Sequence, residues 1–270
     1  MKFRHALLIL GFALASCGQA PTTDTATTPT IAVGASIPDL SEHGPGKDAE
    51  VIEYDAASVL VTLDLMRGHL IASLENARLG DYDLAQQHAA QPLTEHYQPI
   101  KSLVQESDAA ADTGLEAAFK TYQQQLATEA DSATIEQSQA AVAAQIDKIE
   151  SVLVPIHTDV HSRALAGVMA TAATEYGASI KDGAFATPLD YQHAFGFTRV
   201  AETHFAKLKP ELSPEAAQTT QTALDALLAA MPTIQPPSVV KPADELVSAT
   251  GSVADQLGIA QAAGHDTASP

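Results

Sequence analysis

The sequence predicts an all-α body of two antiparallel four-helix units on a disordered N-terminal lipid tether, and three observations predict it. Apolar residues recur at three- and four-residue steps through eight segments, the spacing of one helix face. No segment sustains the two-residue alternation of a half-buried strand, so no sheet is expected. Aromatics make up only 5% of the chain, with no Trp, while Ala is abundant, a composition that suits closely packed helices.

The first sixteen residues have the parts of an export signal. Lys2 and Arg4 form a positive n-region, and Ala6 to Leu14 is apolar without interruption. That stretch fits a signal h-region and falls short of the ~20 residues a spanning helix needs. It ends in Leu14-Ala15-Ser16-Cys17, in which small residues suit a lipoprotein peptidase and the Cys17 thiol accepts the lipid. Gly18 rather than Asp after the cysteine favours the outer membrane, with the body facing the periplasm. Cys17 is the only cysteine, which excludes a disulfide framework and a thiolate metal site. Residues 17–47 form the lipidated end and a Thr- and Pro-rich linker that cannot bury apolar area. No further stretch is read as membrane-spanning.

Net charge is −19, and loss of Lys2 and Arg4 with the leader makes the mature chain more acidic still. Such a surface repels nucleic acid and anionic headgroups.

The first unit, 48–153, opens with a helix from Asp48 to Arg78 stopped at Gly80. A second helix, 81–106, is kinked or divided at Pro92 and Pro99. Helices at 114–129 and 132–153 complete the unit. The second unit, 154–258, has a long helix opened by Pro155 and ending near Gly183, then one over 188–208. Ser213-Pro214 caps and opens a third, ending near Met231. A proline-rich segment leads to the last helix, and residues 259–270 read as a tail. An internal echo links the units: Asp81-Tyr82 leads to His96-Tyr97 as Asp190-Tyr191 leads to His204-Phe205, with the register drifting by one residue.

The strongest chemical constellation lies in the first unit. His69 sits on the first helix, and His88, Gln91 and Glu95 share a face of the second at steps of three and seven. Imidazoles and carboxylates on facing helices are how bundles hold metals or haem. His69, His88, Glu95 and His96 are therefore the expected ligands, with Met66 in support, for iron, copper or haem. Core histidines and a solvated acid would produce the same pattern, and that reading stays open. His157 and His161, four residues apart, lack a third placed ligand and read as a solvated pair. Glu175, Asp190, Gln192 and Arg199 suggest an internal salt bridge. No phosphate loop, nucleophile elbow or zinc-protease helix is present, so no enzyme is expected.

Gly68-His69-Leu70 with His88-Ala-Ala-Gln91-Pro92 and Glu95-His96-Tyr97 resembles the GHL…HxxHPxxExY pattern of an uncharacterised family of exported helical proteins of cyanobacteria and proteobacteria. Ala173-Thr174-Glu175-Tyr176 and Tyr191-Gln192 with Gly196-Phe197 are similar to that family's second-half segments. Gln91 departs from it, standing where the pattern has a second histidine. The two-bundle plan is more distantly similar to imelysin-like periplasmic proteins, a resemblance that implies iron or haem uptake, although their GxHxxE motif is lacking. Two other functions fit the sequence: a scaffold lipoprotein that binds protein partners, and a carrier with an apolar cavity.

Overall fold

The computed structural model describes residues 54–257. The leader, Cys17, the linker and the tail lie outside them, as do residues 48–53. Helix α1, Ala56–Arg78, starts later than the periodicity suggests, because Asp55 breaks from helical geometry and caps Ala57 N–H. It ends where Gly80 takes a φ of +79°. By length and composition α1 could cross a membrane, which corrects the reading that no stretch after the leader could. Its apolarity has another cause. The helix is the hub of the fold, packed on α2, Tyr82–Gln91, on α4, Ser132–Leu153, on α5, Thr158–Ala178, and on α6, Pro188–Leu208.

Pro92 interrupts the segment after α2 as expected, but the outcome is a single π-turn over Pro92–His96, closed by Tyr97 N–H on the Pro92 carbonyl. A 3₁₀ turn over Gln98–Ile100 follows and leads into α3, Lys101–Ala127. The expected gap between 106 and 114 is only a kink. Asp108 leaves helical geometry there, and its carboxylate caps Ala111 N–H at 3.0 Å. Caps by Asp131 and Ser213 set the starts of α4 and of α7, Pro214–Ala230. The last helix is α8, Ala243–Gln256.

The segment ending α5 holds a second correction. Rather than staying helical to Gly183, the chain forms a two-residue antiparallel pair, Ile180–Lys181 with Ala184–Phe185. Asp182 and Gly183 both take positive φ in the turn, as a two-residue hairpin requires.

One apolar core runs through both halves. Helices α3 and α4 pair, α5 and α6 pair, and α8 packs on α5 and α7. The closest approach in the interior is between α1 and α6. A Cβ built on Gly196 would land on the Gly68 carbonyl, and one on Gly68 would strike the Phe197 ring. Only glycine lets these two backbones meet so closely. His69 follows Gly68 directly, and His193 stands one turn before Gly196, so the contact brings these two imidazoles together.

Candidate metal centre

Three helices each supply one buried imidazole: His69 from α1, His88 from α2 and His193 from α6, with relative exposures of 1%, 0% and 8%. One nitrogen from each lies within 4.8 Å of the others. Ring centroids are 4.7 Å apart for His69 and His193, 5.1 Å for His88 and His193, and 6.0 Å for His69 and His88. Phe197 closes one side with its ring edge-on to His69 at 5.3 Å.

The hydrogen-bond network fixes one tautomer outright. Asn76 donates Nδ2–H to the Ala72 carbonyl, which sets its amide orientation, and then exchanges two hydrogen bonds with the Gln192 amide. Gln192 therefore presents Oε1 to His88 Nε2 at 2.8 Å, so His88 donates there. Its Nδ1 is left as a bare lone pair, buried and without a partner. His69 is in a similar position. Its Nε2 contacts His96 Nε2 at 2.8 Å, and its Nδ1 has no partner. An orphaned buried polar atom costs about 1–3 kcal/mol. Two of them lie in this one cluster.

Electrostatics hold His69, His88 and His96 in the neutral form. Burial first, and the neighbouring histidines second, hold the His69 pKa well below the ordinary value. The same causes lower His88 to about 3 and His96 to about 4. Neutral imidazole is what a metal takes.

His193 is tied from both sides. Its Nε2 meets Gln91 Oε1 at 2.9 Å, and its Nδ1 lies 3.7 Å from Glu175, which forms a further converging group with Asp190 and His193. The Gln91 departure from the HxxHP pattern thus sets an amide against His193.

The structure brings His69 together with His88 and, on its other side, with His96, all three of them expected ligands. Glu95 does not join His88. The π-turn after Gln91 rotates the chain, so the exposed Glu95 converges with His69 and His96 instead. Met66 is buried in the core. His193 is the converging residue that helix spacing missed. Its signal lay in the Tyr191–Phe197 segment, and no local pattern tells which helix that segment faces. Arg199 does not form the expected internal salt bridge with Glu175 or Asp190: it pairs with its helix neighbour Glu202 and donates to the Met231 and Pro232 carbonyls. His157 is exposed, as expected of a solvated residue, whereas His161 is half-buried.

Residues 155–263 match the family model of the iron permease-associated 4-helix bundle domain. The four helices α5 to α8 agree with that description. The match covers the second half and contributes His193 to the buried triad, while the Gly68–Leu70 and His88–Tyr97 motifs lie outside it. No curated protein and no solved structure matches the chain.

Proposed function

We propose that this protein binds a first-row transition metal, iron or copper, at the buried His69–His88–His193 cluster, with His96 as a fourth imidazole. The observation that carries the proposal is the pair of unpartnered buried Nδ1 atoms on His69 and His88, in a cluster that His193 completes as a third converging imidazole. Ligand bonds of ~2.0–2.1 Å place imidazole nitrogens of one ion ~3.3–3.5 Å apart, so small ring rotations complete the site. The donor chemistry fits: an all-imidazole set without thiolate suits copper, iron or zinc. The tight ring packing suits an ion better than a porphyrin, which needs a flat slot beside its axial ligand.

The iron context comes from the family match of the second half, and the distant imelysin likeness points the same way. The protein acts as a binding protein rather than an enzyme, because the triad is closed off from solvent and offers a substrate no entry. The leader and Cys17 support an outer-membrane lipoprotein facing the periplasm, which would hold the metal-binding body near the membrane. Cys17→Ser should abolish detergent partitioning of the protein, and unchanged membrane association would refute the anchor.

Metal analysis and titration calorimetry of untagged protein with Fe2+, Cu2+ and Zn2+ test the main claim. Saturable binding lost in His88→Ala and His193→Ala is expected, and binding indifferent to both would overturn it. In vitro Cu2+ should bind most tightly whatever the physiological cargo, because imidazole sites follow the Irving–Williams order.

A further inference from the structure

A cleft of about 700 Å³ opens on the other end of the α1–α6 contact, lined by side chains of α1, α4, α5 and α6. At its floor stands a chain of charged and titratable groups that the buried triad does not use. Arg67 donates to Asp64 at 2.9 Å, and Asp64 in turn faces His204 Nδ1 at 2.9 Å. His204 Nε2 lies 3.3 Å from His161 Nδ1.

The protonation pattern follows from the partners. Asp64 is buried, with 4% exposure, and accepts from Arg67, so its carboxylate offers an acceptor to His204. His204 must then carry its proton on Nδ1 and turn the Nε2 lone pair toward His161. A carboxylate that holds the outer nitrogen of a histidine fixes the tautomer and raises ligand basicity, which is the arrangement found behind metal-bound imidazoles.

The distance between the two facing nitrogens carries the point. At 3.3 Å it is long for a hydrogen bond. Two imidazoles on one tetrahedral ion, with bonds of ~2.0–2.1 Å, hold their nitrogens ~3.3–3.4 Å apart. The rings already stand at ligand spacing, in a nearly perpendicular arrangement with an interplanar angle of 85°. We infer that His161 and His204 form a second site, open to solvent, for a divalent transition metal, with Asp64 as the positioning residue for His204. His157 and Glu150 line the same cleft, Glu150 in an ion pair with Arg67. The ionisable lining has one acid in excess, with Asp64, Glu150 and Glu211 against Arg67 and Lys207, which favours a cation. The remaining coordination positions face the cleft and admit water or an exchanging ligand.

This inference is independent of the buried triad, and one experiment separates them. Stoichiometry is measured on the full untagged chain with Co2+, whose visible absorption reports tetrahedral nitrogen ligation, and with Cu2+. The expected result is two ions per chain, falling to one in His161→Ala and to the other one in His88→Ala. Asp64→Asn should keep the second ion but weaken it by about 10- to 100-fold. Because His204 is buried and its loss could unfold the chain, the half-exposed His161→Gln serves as the primary variant. Two ions retained in His161→Gln would overturn the inference. So would a single ion lost only in His88→Ala. A single ion lost only in His161→Gln would uphold it while refuting the buried site.

Discussion

The two histidine clusters stand about three helical turns apart along α6 and differ in what surrounds them. His69, His88 and His193 are sealed in the core, and two of their nitrogens have no partner. His161 and His204 border a cleft, and the network of Asp64 and Arg67 satisfies the nitrogen that faces inward. The comparison shows how one side chain serves opposite ends. Buried nitrogens without partners cost stability. A pair whose inward nitrogen is satisfied escapes that cost.

The largest effect should come from the glycine contact that lies beside the buried cluster. Gly196→Ala puts a methyl group onto the Gly68 carbonyl, which cannot yield as a flexible side chain could. Overpacking of this kind costs about 1–3 kcal/mol, and more where backbone must move. Urea unfolding should show that loss, and the buried ion should be lost with it. The cleft ion should remain if the rest of the α1–α6 contact holds, and loss of both would show that the clusters are not separable.

Removing a ligand comes next. His193→Ala should weaken the buried site by more than 100-fold and leave the cleft site within twofold, as measured by calorimetry. Gln192→Leu is subtler, because it leaves all three imidazoles and removes only the group that orients His88. A loss of about 10- to 100-fold in affinity is expected at the buried site alone. An unchanged affinity would mean that ring orientation is set by packing and not by the Asn76–Gln192 pair.

The helices were legible because each carries its own signals. Ser213 announces a helix start as an N-cap, and Asp55, Asp81 and Asp131 cap theirs in the same way, although the periodicity opened the first helix at Asp48. Proline at 92 announced a break but not its kind, since a π-turn and a simple kink begin with the same lost N–H. Asp182-Gly183 carried a hairpin signal that the helical periodicity around it hid. Half of the site was legible for the same local reason: His69 lies on an apolar stripe, and His88 shares a face with Gln91. His193 was not, because its place depends on α1 meeting α6 across more than 100 residues. The clue was the pairing of Gly68 with Gly196, two positions at which a small residue has meaning only once the partner helix is known. His204 was noticed through its echo of His96. Each lies against an imidazole from another helix, His96 against His69 and His204 against His161.

The smallest effect expected is a difference in how the two clusters respond to mild acid in metal-free protein. Burial holds His88 at about 3, His96 at about 4 and His69 well below its ordinary value, whereas the unfolded chain titrates near ~6.5. Below that pH the unfolded state takes up protons that the folded state refuses, so these groups favour unfolding as the pH falls. Their contribution is complete above the unfolded value and is lost progressively down to the folded values near 4 and 3. Between pH 7 and pH 6 each such imidazole costs about 0.7 kcal/mol. His161 is also lowered, first by burial and then by His204, but Glu150 and Asp64 act against the shift. Its cost over the same interval should be smaller. Denaturant unfolding with a chelator present, at the two pH values, reads the difference. His96→Gln should flatten the pH dependence by about 0.7 kcal/mol, and His161→Gln by clearly less. Equal flattening by the two variants would mean that the sealed and open clusters hold their protons alike, and the contrast between them would fail.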